Sequence, residues 1–339
     1  MKQPKTSNQE IRRVAPDPAK RGEFDLIADL FAPLTDGDER ALGLLDDAAV
    51  LPQITGIETV VTTDTLVAGV HFLMAEAPDV IARRLLRVNL SDIAAMGAQP
   101  SGYFLNLSLP ADIGNDWLVE FVSGLAADQQ QFGFSLLGGD TTRTPGPLVL
   151  SVNMLGEVPA GSAIRRSSAK AGDVIFVSGT IGDAGLGLAR LRDGAGGEDP
   201  LIRRYQLPEP RVSLGNALRG IASAMADVSD GLLADLGHIC EASALGATVD
   251  AAAVPLSEAA SSVTGPGDAD ILALLTSGDD YELVFTVPPD RIDDVHMASS
   301  ATDTPVTEIG RMGGARPKVN VKSADGRDIS PERTGYRHF

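Results

Sequence analysis

Segments typical of β-strands alternate with segments typical of α-helices along both halves of this 339-residue chain. In the first half, the β-branched residues at 56–67 predict a strand, and Pro78 opens a stretch whose apolar residues recur at helical spacing, with Gly97 as a candidate cap. The second half restarts with a predicted strand at 173–179. This alternation favours an α/β or α+β architecture.

A polar stretch at 159–173, PAGSAIRRSSAKAGD, separates the two halves and is the best candidate for a domain boundary. A chain of this length also favours two domains. We therefore expect an N-terminal domain at 22–158 and a C-terminal domain at 159–339. Residues 1–21 are polar and lack the apolar core of a secretory signal, so we expect a mobile tail there.

Two adjacent carboxylates, Asp46 and Asp47, lie between short apolar runs at 42–45 and 48–51, each of which is typical of a strand entering a core. Adjacent carboxylates repel each other, and burying either one unpaired is costly. The pair therefore requires a countercharge, unless it lies in an exposed turn. Apolar residues at helical spacing predict one helix before this pair, at 23–34, and another after it, at 115–133.

The chain is acidic, with 46 Asp and Glu against 28 Lys and Arg, and a formal net charge of −18. This charge makes nucleic acid and anionic membranes improbable partners. The single cysteine, Cys240, excludes a disulfide framework and a cysteine-based zinc site, and helix core is its expected place. No apolar run approaches the ~18 residues of a membrane span, so we expect a cytoplasmic protein.

Aspartates recur where predicted strands end, and ligand sites of α/β folds are found at such ends. Asp64 follows Thr62 and Thr63 at the end of one predicted strand, and Asp140 ends LLGGD. Asp227 and Asp230 bracket a predicted strand-to-helix turn, and Asp279 and Asp280 lie just before a predicted strand. Carboxylate and hydroxyl oxygens suit hard cations such as Mg²⁺. Taken alone, LLGGD favours a short strand followed by a turn at Asp140, and the position of Asp92 favours a solvated helix face over a metal ligand.

Familiar nucleotide motifs are missing from the sequence. There is no GxxxxGK[ST] phosphate loop, and neither the HRD nor the DFG motif of protein kinases occurs. The glycines at 179–187 follow a predicted strand but do not fit GxGxxG, which disfavours a dinucleotide site.

Eight ordered blocks carry a resemblance to a known family: GEFDLIADLF, LLDDAAVL, TTDTLVAGVHF, VNLSDIAAMGAQP, LLGGDTTR, DVSDGL, SGDDYELVF and GYRHF. Together they resemble the thiamine-monophosphate kinase family, within the aminoimidazole ribonucleotide synthetase-like ATP enzymes. The resemblance implies a two-domain fold whose N-terminal domain forms a β-barrel with its copy in a homodimer. It also implies ATP-dependent phosphorylation of thiamine monophosphate to thiamine diphosphate, assisted by several Mg²⁺ ions and without a general base.

The resemblance further implies a role for each matching residue. The metal ligands would be Asp47, Thr62, Thr63, Asp64, Asp92, Asp140, Asp227 and Asp230. The ATP contacts would be Gly139, Asp140, Arg166 and Ser229. The contacts to thiamine monophosphate would be His71, Asp279 and Tyr336.

Two positions depart from the family pattern, because Leu45 stands where glycine is frequent and Asp279 stands where glutamate is usual. Two alternative functions stay open at this stage. One is another ATP-using synthetase of the same superfamily, although selenophosphate synthetase is disfavoured because no cysteine lies near the N-terminus. The other is a non-catalytic, acidic, cation-binding protein.

Overall fold

The computed structural model describes residues 27–45 and 48–336, and its first half is built on a four-stranded sheet. The strands are β1 (Ile57–Val67), β2 (Gln99–Leu109), β3 (Ser135–Arg143) and β4 (Val149–Pro159), and their order in the sheet is β1-β4-β2-β3. β2 and β3 run parallel, while β4 is antiparallel to β1 and to β2. Alternation along β1 places Thr62 and Asp64 on one face of the sheet and Thr63 on the other.

Two long helices, α1 (Pro78–Ala95) and α2 (Asn115–Phe132), pack together, and α1 lies against one face of this sheet. Each helix is followed by a glycine with positive φ, Gly97 at +65° and Gly133 at +73°, which is the conformation that ends many helices. α1 is buried along most of its length because it lies between the first sheet and the second.

The second half contains a six-stranded sheet with the strand order β10-β7-β9-β5-β8-β6. Its strands are β5 (Val174–Ser178), β6 (Ala224–Asp227), β7 (Ala247–Asp250), β8 (Leu283–Val287), β9 (Val306–Met312) and β10 (Val319–Lys322). β10 runs parallel to β7, and the other neighbouring strands are antiparallel.

Seven helices accompany this second sheet within the described residues. They are α3 (Asp183–Arg192), α4 (Pro200–Gln206), α5 (Val212–Ala217), α6 (Leu232–Ser243), α7 (Glu258–Ser261), α8 (Asp268–Leu275) and α9 (Ile292–Thr302). Cys240 is fully buried in α6, as predicted. No helix of residues 27–45 and 48–336 is long and apolar enough to cross a membrane.

The face of the first sheet that points away from α1 is covered at one end by the segment that carries Ala41 and Leu44, and the rest of it is largely open. On it Val61 is 63% exposed, and hydroxyl groups form cross-strand pairs: Thr65 with Ser151 at 2.7 Å and Ser108 with Thr142 at 3.3 Å. An uncovered sheet face beside the edge strand β1 leaves backbone groups and side chains available to a further strand or chain.

Most predicted elements are confirmed, but the strands expected around the Asp46–Asp47 pair are wrong. A helical turn, Glu39–Leu44, occupies the first run, and Leu42, Gly43 and Leu44 all have positive φ. Asp38 accepts a hydrogen bond from the Arg40 amide at 2.9 Å and so begins this turn. Leu45 is 89% exposed, so it does not enter a core.

The turn expected at LLGGD is also wrong, because Gly138, Gly139 and Asp140 lie inside β3. The helix predicted at 23–34 is seen from Ile27 onwards, as short segments that continue to Thr35. The expected tail at 1–21 and both members of the Asp46–Asp47 pair lie outside the described residues.

Candidate active site

Carboxylates from both halves of the chain meet beside α1. Thr62 and Asp64 come from β1, Asp92 from the last turns of α1, and Asp227 from the end of β6. The Thr62 hydroxyl donates to Asp92 Oδ2 at 2.5 Å, and the Ser91 hydroxyl donates to Asp227 Oδ2 at 2.9 Å. Because Ser91 and Asp92 are consecutive, one helical turn links the first sheet to the second.

Burial raises the pKa values of these three aspartates, and repulsion by Asp92 adds to the shifts of Asp64 and Asp227. Burial, reinforced by Asp92, raises the pKa of Asp64 to about 7. Burial also raises the pKa of Asp92, although the Thr62 hydrogen bond and the Arg166 charge oppose it. The pKa of Asp227 is raised well above its usual range by burial and then by Asp92 and Asp235. Such a group of oxygen ligands suits a hard cation, which would stabilise all three ionised forms at once.

Asp235 organises the loop after β6, and sequence reasoning missed it. Its Oδ2 accepts hydrogen bonds from the amides of Ser229, Asp230 and Gly231 at 3.0, 3.0 and 3.1 Å. The signal was present in the sequence, as an aspartate in the first turn of a helix that follows a glycine. Asp230, Asp235 and His238 also present ligand atoms that lie within 4.8 Å of one another.

The loop before β8 is attached to the loop after β6. The Asp279 amide donates to the Ser229 carbonyl, and the Tyr281 amide donates to the Val228 carbonyl, both at 2.8 Å. Asp279 and Tyr281 have φ values of +71° and +51°, which are uncommon for non-glycine residues and are enriched at functional sites. The Asp279 carboxylate accepts a hydrogen bond from Arg84 Nη2 at 2.9 Å.

The remaining residues predicted to contact a substrate lie around these loops. His71 Nδ1 accepts a hydrogen bond from the Val67 amide at 3.0 Å, so the neutral ring carries its proton on Nε2. The Tyr336 amide donates to the Asp230 carbonyl at 3.0 Å. Arg166 is exposed and lines a depression of about 470 Å³ together with Thr62 and Asp92.

Gly139 and Asp140 lie apart from this cluster. Asp140 is opposite Asn106 on β2, on the open face of the sheet, whereas Asp64 lies on the helix-covered face. Three strand spacings, roughly 14 Å, separate β3 from β1. Thr63 shares the open face with Asp140, so the predicted metal ligands within one chain are divided between two faces.

Close packing explains why position 139 is a glycine. A Cβ atom there would lie 1.9 Å from the Leu105 carbonyl oxygen, so a side chain cannot be added without moving the strand.

Two sheets joined by a buried helix, with carboxylates at the junction, define the chain as a two-domain AIR synthase related protein. The family model of the AIR synthase related N-terminal domain matches residues 45–158, and that of the C-terminal domain matches residues 170–322. Within this class, the chain belongs to the thiamine-monophosphate kinase family, as its similarity to curated and solved members shows.

Three similar proteins illustrate this membership. Thiamine-monophosphate kinase of Caulobacter vibrioides is 47% identical over 329 residues, which are 96% of this chain and 93% of that protein. The crystal structure of thiamine-monophosphate kinase from Stenotrophomonas maltophilia K279a is 43% identical with a TM-score of 0.79, covering 86% of this chain and 96% of that one. A structure of AaThiL complexed with AMPPCP and TMP is 30% identical with a TM-score of 0.75, covering 94% and 97%.

Proposed function

We propose that the protein transfers the terminal phosphoryl group of ATP to thiamine monophosphate, giving ADP and thiamine diphosphate. The observation that carries this proposal is the partly buried cluster of Asp64, Asp92 and Asp227 at the junction of the two halves. The full-length similarity to thiamine-monophosphate kinases and to AaThiL complexed with AMPPCP and TMP supports it.

The chemistry of the two substrates explains why carboxylates line the site. The acceptor is itself a phosphate with a second pKa near 6, so it is largely dianionic at neutral pH and needs no general base. Its main obstacle is repulsion by the ATP triphosphate, since two unit charges 4 Å apart interact by ~4 kcal/mol at an effective dielectric constant of 20. Bound Mg²⁺ would neutralise the phosphates and align them for in-line transfer.

The residues of this chain then have separate tasks. Thr62, Asp64, Asp92 and Asp227 would hold the cation on the helix-covered side, and Ser91 would orient Asp227 through its hydrogen bond. Asp230 would extend this set, with Asp235 fixing the backbone around it. Asp47, Thr63 and Asp140 complete the proposed set of metal ligands.

The two substrates would contact different residues, although the loops of Ser229 and Asp279 are joined by a backbone hydrogen bond. Gly139, Asp140, Arg166 and Ser229 are the proposed contacts to ATP. His71, Asp279 and Tyr336 are the proposed contacts to thiamine monophosphate. We also propose two domains, at 22–158 and 159–339, and we assign cation and ATP binding mainly to the first.

We also propose a homodimer in which the first sheet closes into a β-barrel with the sheet of a partner. The exposed edge strand β1 and the uncovered face that carries Val61 and Thr65 support this arrangement. Closing the barrel would cover both features and bury the open face that carries Asp140.

One assay tests the reaction directly. The protein is incubated with ATP, Mg²⁺ and thiamine monophosphate, and products are separated by ion-pair chromatography; thiamine diphosphate and ADP are expected in equal amounts. Thiamine replaces thiamine monophosphate in a control reaction, where no thiamine diphosphate should form. EDTA should abolish the reaction, and added Mg²⁺ should restore it. Absence of thiamine diphosphate in the complete mixture would contradict the proposed function, and a rate that survives EDTA would contradict the role of the metal.

A further inference from the structure

Arg84 is a buried cation in the middle of α1 that the proposed mechanism does not use. It is 2% exposed, and its guanidinium is held on three sides. Nη2 donates to Asp279 Oδ1 at 2.9 Å, Nη1 donates to the carbonyl of Tyr205, and the guanidinium carbon lies 3.9 Å from the centre of the Tyr205 ring. Because Asp279 is a proposed substrate contact, Arg84 fixes one wall of that subsite from inside the protein.

Tyr205 continues the same chain of contacts in the other direction. Its ring is buried beneath Arg84, and its hydroxyl donates to the His71 carbonyl at 3.3 Å. Arg84 and Tyr205 therefore join His71 to Asp279, the two proposed substrate contacts, although 208 positions separate these residues in the sequence. We refer to the set His71, Tyr205, Arg84 and Asp279 as the buried frame.

The buried frame also reaches the carboxylate cluster. The Tyr281 hydroxyl donates to Asp279 Oδ1, the same oxygen that pairs with Arg84, at 3.3 Å. Burial and then Asp279 raise the pKa of Tyr281 well above its usual range, and Asp64 and Asp227 contribute to the same shift. Tyr281 thus donates to the proposed substrate contact and also responds to the charges of two proposed metal ligands.

Two buried polar atoms at the buried frame have no hydrogen-bond partner among the described residues. They are Arg84 Nε, a donor, and Glu76 Oε2, an acceptor, and the charge of Glu76 acts on both Arg84 and Tyr205. An unsatisfied buried donor or acceptor is costly, so a polar molecule that reaches it gains binding energy. The Nε atom without a partner distinguishes Arg84 from a buried cation whose nitrogens all donate hydrogen bonds.

Arg87, one turn further along α1, provides the comparison. It is also buried, but its three nitrogens all donate within the protein: to Asp128 at 2.7 and 3.0 Å, to Gln131 at 3.0 Å and to the Pro208 carbonyl at 2.9 Å. These contacts lie on α2 and on the segment after α4, and none involves a proposed substrate contact. Arg87 is therefore a structural arginine with the same burial and the same helix as Arg84.

We propose that Arg84 and Tyr205 are positioning residues for thiamine monophosphate: they hold His71 and Asp279 at a fixed separation, and Arg84 supplies a buried charge behind the substrate subsite. This inference rests on the proposed function and deepens it, since it assigns substrate affinity to two residues that lie behind the substrate contacts. The direct contacts of Arg84 are Tyr205 and Asp279, neither of which is a proposed ATP contact, so changes at Arg84 should affect thiamine monophosphate more than ATP.

Substitution by a smaller cation tests this idea. Arg84→Lys keeps the charge but loses the two-pronged contact and the stacking on Tyr205. We expect the Kd for thiamine monophosphate to rise about 10-fold, while the Kd for AMPPCP with Mg²⁺ changes less than about twofold. Tyr205→Phe removes the hydrogen bond to the His71 carbonyl alone and should raise the Kd for thiamine monophosphate about threefold. Isothermal calorimetry measures both constants without turnover.

A double variant and a matched control complete the design. The effects of Arg84→Lys and Tyr205→Phe should combine to less than their product, because both act through the buried frame. Arg87→Lys makes the same change at the same depth on the same helix; it should lower the melting temperature and leave the ratio of the two Kd values unchanged. Melting curves of all variants separate loss of folding from loss of binding.

The inference is overturned if Arg84→Lys leaves the Kd for thiamine monophosphate unchanged, weakens both ligands equally, or behaves like Arg87→Lys. Failure of the proposed function has a different signature: the unmodified protein forms no thiamine diphosphate in the complete assay. Calorimetry still decides the role of Arg84 in that case. If the unmodified protein does not bind thiamine monophosphate at all, both proposals fall.

Discussion

Asp92 lies where the two sheets of the candidate site meet. It accepts the Thr62 hydroxyl from the first sheet, and its neighbour Ser91 holds Asp227 of the second. Its burial raises its pKa, which means that the folded protein resists its ionisation until a cation is close. A residue in this position contributes to the chemistry through its charge and little through packing.

Replacing Asp92 by asparagine should therefore abolish activity and preserve the fold. The side chain keeps its size and an acceptor for Thr62 but loses the negative charge, so we expect kcat to fall at least about 100-fold. The melting temperature should stay the same or rise slightly, because repulsion of Asp64 and Asp227 is relieved. Asp112→Asn, an exposed aspartate outside the site, is the control. A kcat near that of the unmodified protein would remove Asp92 from the metal site.

Some of these residues could be predicted from sequence and others could not. Thr62, Asp64, Asp92 and Asp227 stand in short motifs whose residue types suit a cation, and the structure brings them together. Asp235 carries a weak signal, its place in the first turn of a helix, but its three partners are backbone amides, which no residue type marks.

Other features depend on long-range packing. Arg84 contacts Tyr205 and Asp279, which follow it by 121 and 195 positions, and no local pattern encodes such pairs. The separation of Asp140 from Asp64 depends on strand order, which the sequence alone does not reveal.

At the scale of elements, periodicity predicted the long helices and most strands well. It failed at 42–45 and at 48–51, and in the first of these two runs apolar residues occupy a turn with three consecutive positive φ values. Leucine rarely adopts a positive φ. The hydrophobicity of Leu42 and Leu44 therefore led to the prediction of a strand. Local backbone geometry, rather than composition, therefore determines the conformation of residues 42–44.

The packing of α2 against α1 depends on Gly124. A Cβ atom at Gly124 would lie 2.3 Å from the Asp79 carbonyl oxygen in the first turn of α1. Gly124→Ala should therefore lower the free energy of unfolding by roughly 1–3 kcal/mol, because the two helices must separate. In contrast, Gly237 in α6 has nothing within 4 Å of such an atom, and Gly237→Ala should stabilise the protein by about 0.5–1 kcal/mol. Urea unfolding of both variants measures the difference, and equal effects would refute the packing argument.

Helix α3 carries a pH-dependent contact at its N-terminus. Buried Asp280 accepts hydrogen bonds from the Gly182 and Ala184 amides at 2.7 and 3.2 Å. Burial raises its pKa to about 8, although the Gly182 amide, Arg204 and the Ala184 amide oppose the shift. In the unfolded chain the same group ionises near pH 4. Between these values the folded protein holds one extra proton, so this contribution to stability is complete below about pH 4 and is lost as the pH rises towards 8.

Asp280→Asn should remove that dependence. Urea unfolding from pH 5 to 8 should show a steeper decline for the unmodified protein than for the variant, by up to about 1.4 kcal/mol per pH unit. Asp112→Asn again serves as the control, since its exposed side chain should leave the slope unchanged. Parallel pH profiles for the unmodified protein and Asp280→Asn would show that Asp280 is already ionised in the fold.

At the scale of the whole molecule, the first sheet is covered by α1 on one face and is largely open on the other. Val61 lies in its edge strand β1 with 63% of its surface exposed, beside Thr63 and Thr65. An exposed edge of this length invites pairing with another chain unless charged side chains prevent it. In the proposed dimer the partner sheet covers this edge, so Val61 is buried there, whereas it stays exposed to solvent in a monomer.

Val61→Lys should therefore break the dimer. A buried, unpaired ammonium at the barrel interface is strongly unfavourable, so sedimentation velocity should show a shift from twice 35.3 kDa towards the mass of one chain. Val119 is 50% exposed on α2, away from the sheet edge, and Val119→Lys should leave the mass unchanged. If closing the barrel also completes the site on the open face around Asp140, Val61→Lys should lose activity in parallel with dimer dissociation. A monomeric unmodified protein, or a Val61→Lys variant that remains dimeric, would contradict the proposed barrel.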